Sequence, residues 1–354
     1  MHSLEPLTAG VGPYDALRRT AFLLERSRQH SRRVEAFRGA AKVVAEQGED
    51  AIAERVADGT LTDLPGIGRS TAGVIEQAVA GGLPAYLARQ QEDEGGPLTD
   101  LDDGAAALVE AVVGDCHTHS DWSDGGSPIE EMVLTAVELG QEWMVLTDHS
   151  PRLRIANGLS VERLQKQLRL VERIDGALGD SFRLLKGIEV DILDDGGLDQ
   201  TDEMLAQLDL VTASVHSKLR APKEAMTQRM LGAVRNPRVD VLGHCTGRLV
   251  TGGRGTRPQS EFDARAVFEA CAEHGVAVEI NSRPERCDPP DELIELARDL
   301  GCLFAIDSDA HAPGQLEMKV HGCERAHRLG IDADRIVTTW DAERLLEWSR
   351  SRRS

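Results

Sequence analysis

Of the eleven histidines in the chain, only His2, His30, His274, His321 and His327 lie away from the ends of short apolar runs. The first run (112–117) ends in Asp115, His117 and His119, with Asp124 close behind, and the second (142–149) ends in Asp148 and His149. The third (182–192) carries Glu189 and Asp191, the fourth (208–216) His216 and the fifth (239–246) His244. Glu279 and Asn281 close the sixth (276–282), and Asp307, Asp309 and His311 close the seventh (302–311). Imidazole and carboxylate together suit zinc, manganese or iron. A single histidine after a strand is ordinarily a hydrogen-bonded structural residue. A whole set there is different, because polar rings at strand ends cost desolvation unless they are paired.

The spacing adds detail. Alternate side chains of an extended strand point the same way, so His117 and His119 can reach one metal, and Asp309 and His311 read as a second pair of that kind. Glu189 is the natural bridging carboxylate, since one carboxylate can hold two cations together. A site gathering two or three cations lowers the pKa of a bound water and neutralises the charge of an approaching phosphate.

Positioning these residues falls to the elements around them. From Val112 onward short apolar runs alternate with helix-like stretches such as 160–178 and 259–274. Strand, helix, strand, repeated about seven times, predicts an α/β fold with a parallel sheet closed, or nearly closed, into a barrel; a doubly wound open sheet is the alternative. All C-terminal strand ends of a parallel barrel open on one face, so residues scattered over some two hundred positions converge there. Residues 1–90 read instead as a small helical domain, with apolar residues at helical spacing from Tyr14 to Gln47. The acidic, Gly-Gly-Pro-containing stretch within 91–110 reads as a linker, leaving 111–354 for the barrel.

Over 354 residues the formal charge is −20, which argues against nonspecific binding to nucleic acid or to an anionic membrane. No apolar run is long enough to span a bilayer, and MHSLEPLTAG lacks the pattern of a signal peptide. Cys116, Cys245, Cys271, Cys287, Cys302 and Cys323 show no CxxC spacing and read as reduced thiols in a cytoplasm.

The segments DCHTHSDWSDG, TDHS, KGIEVDI, ASVHS, LGHCTGR and SDAH resemble, in order and spacing, the successive motifs of the PHP (polymerase and histidinol phosphatase) superfamily over roughly residues 112–330. The resemblance implies a distorted (β/α)7 barrel with a trinuclear metal centre. Its ligands would be His117, His119, Asp124, His149, Glu189, His216, His244, Asp309 and His311. His117, His119, Glu189 and Asp309 would share one metal, Glu189, His216 and His244 a second, and Asp124, His149 and His311 a third.

EINSRPERCDPP (279–290) is similar to the matching stretch of the PHP domain of bacterial family X DNA polymerases. It gives Asn281, Arg283, Arg286 and Asp288 counterparts and makes Arg283 and Arg286 candidate phosphate clamps, with Arg248 a third. LTDLPGIGRSTAGVIEQAV (61–79) resembles a helix-hairpin-helix, and VEAFRGAAKVVAEQ (34–47) the first domain of those polymerases. Pro65, Gly66 and Gly68 would make a tight turn opening a helix whose backbone amides can hold a DNA phosphate. Gly66, Gly68, Arg69, Arg38 and Lys42 are the candidate DNA contacts, in the one locally basic part of the chain, which also holds Arg18, Arg19, Arg26, Arg28, Arg32 and Arg33. No polymerase palm stands between the two regions. Val74 occupies the position of the lysine that lyase-active first domains use, which removes Schiff-base chemistry.

The reading is a metal-dependent phosphoesterase using two or three divalent ions (manganese, zinc or iron) and attack by a metal-bridging hydroxide. Its preferred substrate is a DNA 3' end or an abasic site. The alternatives are a small-molecule phosphomonoesterase of the histidinol-phosphatase type and a non-catalytic DNA-binding module with structural metals.

Overall fold

The computed structural model of the protein describes residues 1–252 and 255–353. The chain divides into two compact units: Ser3–Leu98 with Ala312–Gln315, and Met1–His2 with Thr99–His311 and Leu316–Ser354.

The first unit is helical: α1 (Pro13–Arg26), α2 (Ser31–Gln47), α3 (Glu49–Asp58), α4 (Arg69–Val79) and α5 (Ala85–Glu94). The helical stretch 14–47 is therefore two helices. Arg28 takes a left-handed φ of 55°, and the Ser27 and Gln29 amides close onto the Leu23 and Leu24 carbonyls, ending α1. Leu17, Leu24, Ile52, Ile75 and Leu87 are fully buried, and Phe37 stacks on Tyr86 at 5.1 Å between ring centroids. Between α3 and α4 a short 3-10 turn (Leu61–Asp63) leads through Pro65 and Gly66 into the next helix. Gly66 has φ 92°, a backbone conformation that explains the glycine.

The acidic stretch read as a linker is only partly irregular. It contains the end of α5 and all but the last residue of α6 (Asp103–Ala111). Acidity there serves the helix: Asp102 accepts from the Ala105 amide at 2.8 Å and caps α6.

The second unit holds six parallel strands hydrogen-bonded in sequence order: β1 (Trp143–Leu146), β2 (Arg183–Asp191), β3 (Leu210–Ser214), β4 (Val241–Leu242), β5 (Ala277–Asn281) and β6 (Leu303–Asp307). Helix α7 (Ile129–Glu138) precedes β1; between the strands run α8 (Val161–Leu178), α9 (Asp202–Leu205), α10 (Lys223–Val234), α11 (Ala264–His274) and α12 (Asp291–Asp299); α13 (Lys319–Arg328) and α14 (Ala342–Ser351) follow β6. Helix α11 starts later than the pattern over 259–274 predicts, because Asp263 caps it by accepting from the Ala266 amide.

The expected seventh strand, at 112–117, is not a strand. Thr118 makes single parallel bridges to Leu146 on one side and Ala310 on the other, so this segment joins the two edges of the sheet. Side chains take the place of a regular ladder: Asp307 accepts from the Cys116 amide at 2.7 Å, and Thr147 from the Thr118 amide at 2.9 Å. Every strand contributes to one apolar core, through Val145, Leu185, Leu210, Val241, Ala277 and Ala305 packed with Trp143, Trp340 and Leu345. Among the described residues no helix is long and apolar enough to cross a membrane.

The closing segment has little room. A Cβ on Gly114 would lie 1.9 Å from the buried Trp143 indole, which is itself fixed by donation to the Trp340 carbonyl at 2.8 Å. Gly114→Ala is predicted to lower stability by about 1–3 kcal/mol through overpacking. Urea unfolding followed by tryptophan fluorescence measures it, and an unchanged midpoint would show that the segment can move aside.

Candidate metal centre

The C-terminal strand ends, the segment that joins the sheet edges and the loops that follow them bring all nine predicted ligands together. Three sets have ligating atoms within 4.8 Å of one another: His117, His119 and Glu189; His149, Glu189 and His216; and His119, Asp124, His149 and His311. Glu189, at the end of β2, is the hub. Its Oε1 lies 3.3 Å from His117 Nε2, 3.2 Å from His216 Nε2 and 2.9 Å from His244 Nε2. Its Oε2 lies 2.7 Å from His149 Nδ1 and 3.7 Å from His119 Nε2. Asp309 Oδ1 stands 3.9 Å from His117 Nε2 and 3.6 Å from His119 Nε2, while Asp124 Oδ1 stands 3.3 Å from His149 and 3.5 Å from His311.

Asp124 is exposed and His216 and His311 are half-buried, but the other six ligands are buried, and much of the cluster's hydrogen-bonding capacity is unused. Both Glu189 oxygens, His117 Nε2, both His119 nitrogens, His149 Nδ1, both His216 nitrogens and His244 Nδ1 have no hydrogen-bond partner. Buried polar atoms left so cost roughly 1–3 kcal/mol each. Lone pairs converging without shared protons are what a divalent cation satisfies, so the donor set fits two or more ions with nitrogen and oxygen ligands.

The electrostatics agree. Burial pushes the Glu189 carboxyl up, but His216, His117 and His149 together outweigh it and hold the group well below the usual carboxylate range. Asp309 is likewise held low against its burial by Arg286 and His117. Burial, with His311 and His149 beside it, holds His119 well below the ordinary imidazole value, and burial and Arg286 lower His244. Those rings are neutral, the form that ligates metal. Burial opposes charge on His117 too, but Glu189, Glu279 and Asp309 raise it well above the ordinary value, so the hub draws positive charge.

A second layer of carboxylates orients the ligands. Glu279 Oε1 lies 2.6 Å from His117 Nδ1, which leaves Nε2 facing Glu189. Asp191 accepts from the His216 amide at 3.1 Å, and Asp148 accepts from the Ser120 amide at 2.8 Å and from Gln167 at 2.5 Å. Asp115 accepts from the His117 amide, and Asp307 from the Cys116 amide. These strand-end acids therefore hold backbone and imidazole in place. Sequence reasoning placed them at the mouth without seeing this role, although carboxylates interleaved with ligands on the same runs were the available signal.

Asp309 and His311 do not form an alternating pair on a strand. β6 ends at Asp307, and Asp309 has a left-handed φ of 49°, a strained turn of the kind found at functional sites. That turn, rather than strand alternation, brings both residues to the cluster.

The arginines are already engaged. Arg286 Nε is 3.0 Å from Asp309 Oδ2. Arg283 binds Glu285 at 2.7 Å and reaches His311 Nδ1 at 3.1 Å. Arg248 bonds the Cys287 carbonyl at 2.9 Å, and Asp288 accepts from the Thr246 and Arg248 amides, so both tie loops together.

In the helical unit Gly66, Gly68 and Arg69 are exposed, and so is Lys42, 3.9 Å from Glu46. The Gly68 amide is taken by Thr71 Oγ1 at 2.9 Å. Arg38 departs from the expectation of a DNA contact. Its guanidinium holds both oxygens of buried Glu25, at 2.7 and 2.8 Å. Arg18 and Arg26 are buried as well, so the basic face is thinner than the sequence suggests.

A family profile described as PHP domain matches residues 115–283. The DNA polymerase/3'-5' exonuclease PolX of Bacillus subtilis is 37% identical over 232 residues, covering 65% of this chain; the match spans only 40% of that protein's length. A probable phosphatase of Vibrio vulnificus is 30% identical over 242 residues, 63% of this chain and 88% of the relative. Among solved structures, the histidinol phosphate phosphatase of Lactococcus lactis gives a TM-score of 0.47 at 18% identity, over 62% of this chain and 95% of that one.

Glu189→Gln keeps the size of the hub and removes its charge. It is predicted to lose at least one metal ion per chain relative to wild type, measured by elemental analysis of protein purified without chelator. Equal metal content in the two proteins would remove Glu189 from the centre of the site.

Proposed function

The chain belongs to the PHP family of metal-dependent phosphoesterases, and from that premise we propose that it hydrolyses phosphodiesters of DNA, at 3' ends or abasic sites. The observation that carries the hydrolase is the set of buried, unpartnered imidazole and carboxylate atoms around Glu189. His117, His119, Asp124, His149, Glu189, His216, His244, Asp309 and His311 would hold two or three divalent ions. Bound there, such ions supply an acidified water and neutralise phosphate charge. Glu279 fixes the His117 ring, and Arg283 and Arg286 orient the phosphate at the rim beside Asp309.

Support for DNA as substrate comes from the likeness to PolX. It comes also from the exposed turn at Gly66, Gly68 and Arg69, with Lys42 on the same unit. In this reading residues 1–90 serve as the DNA-holding domain, a helix-hairpin-helix, and residues 111–354 as the catalytic domain. A second reading, a phosphomonoesterase for a small ester such as histidinol phosphate, is favoured by the net charge of −20.

The protein, supplied with manganese, is incubated in parallel with 3'-recessed duplex DNA, abasic-site DNA and histidinol phosphate. Turnover of either DNA well above that of histidinol phosphate is expected; the reverse order would establish the second reading. His119→Ala should lower turnover of whichever substrate is used by orders of magnitude, with unchanged circular dichroism.

A further inference from the structure

We infer that the barrel unit carries its own groove for single-stranded polynucleotide, leading from the metal cluster along the exposed face of α8. The inference rests on the DNA reading above and says where the strand lies. Trp122, Lys166, Arg169, Leu170, Glu172 and Arg173 line a cavity of about 680 Å³. Trp122 stands two residues before Asp124, whose carboxylate is 3.3 Å from His149 Nε2, so one short loop carries both a lining residue of the groove and a candidate ligand. The loop carrying Trp122 is held firmly. Its carbonyl accepts from Asn157 Nδ2 at 3.2 Å and from Arg163, and its amide donates to Ser120 Oγ, which bonds Asp148 at 2.5 Å. A half-buried indole on a fixed loop is a stacking platform that needs no ordering on binding.

The cations complete the groove. Lys166, Arg169 and Arg173 follow one another by three and four residues, which puts them on one face of α8 over about 10 Å of helix axis. Leu164, Gln167, Leu168 and Val171 fill the opposite, buried face. All three cations are exposed, and Glu172, the carboxylate lining the groove, turns to Lys186 at 3.3 Å. In a chain of charge −20, such a row is a local concentration of positive charge, three cations against Glu162, which lies four residues before Lys166 and interacts with it. A small phosphate ester uses neither an indole nor cations spread along a helix. A nucleotide strand uses both, stacking a base on the ring and setting successive phosphates on the cations.

The test is fluorescence anisotropy on the full-length, metal-loaded protein, with a fluorescein-labelled oligothymidylate whose phosphorothioate linkages resist hydrolysis. Trp122→Ala should weaken binding about tenfold, and Trp122→Phe, which keeps a stacking face, should restore most of it. Replacing Lys166, Arg169 and Arg173 together with glutamine should reduce the slope of log affinity against log salt by about 2. Circular dichroism checks the fold of each variant. Polyglutamate should fail to displace the strand; equal displacement would reduce the groove to a general anion surface and overturn the inference. If wild type binds the strand and both sets of variants bind it equally well, the groove is wrong while the DNA reading stands. If wild type neither binds this strand nor cleaves unmodified DNA, the DNA reading fails and the groove with it.

Discussion

Everything at the mouth of the barrel turns on one buried carboxylate. Glu189 is almost wholly removed from solvent and faces five imidazoles, from His117, His119, His149, His216 and His244, without a hydrogen bond to either oxygen. An ionised carboxylate in that setting is tolerable only with positive charge beside it. Protons on the surrounding rings supply part of that charge, which is why His117 and His149 are raised while Glu189 is lowered. Divalent cations supply it better and satisfy the imidazole lone pairs at the same time. The metals therefore follow from a constraint the fold imposes.

The scaffold meets that constraint in layers. Parallel strands in sequence order bring ligands far apart in the chain to one end. Behind them, acids hold the ligands still: Glu279 on the His117 ring, Asp191 on the His216 amide, Asp148 on the serine loop before Asp124. Asn281 links two parts of the array, donating to Glu279 at 3.2 Å and to Asp309 at 3.1 Å. The arginine rim then sits against Asp309, where a phosphate would add its charge.

Much of this was legible because short continuous apolar runs mark strands buried on both faces, and because ligating residues have no packing reason to end every one of them. Six of the seven expected strands and the convergence of strand-end polar residues follow from that pattern, while the choice of nine ligands among them rests on the resemblance to the PHP motifs. What was not legible depended on partners distant in sequence. The 112–117 segment reads as a strand, but Asp307 and Thr147 take its amides and leave only single bridges. Asp309 reaches the cluster through a left-handed turn that alternation does not anticipate. Arg38 has the composition of a DNA contact, yet Glu25 across the helix pair claims it. The basic face of α8 went unread because Trp122 lies some forty residues earlier in the chain, and only folding sets the indole beside Lys166 and Arg169.

The central claim is that cations, bridged by Glu189, hold the cluster together. The direct measurement is an anomalous difference map from crystals of the protein, collected at the absorption edges of manganese, iron and zinc. Two or three peaks are predicted, at least two of them about 2.0–2.2 Å from Glu189 oxygens, with imidazole nitrogens completing each site. A map with no anomalous density against Glu189, in crystals grown with these metals and without chelator, would contradict the account.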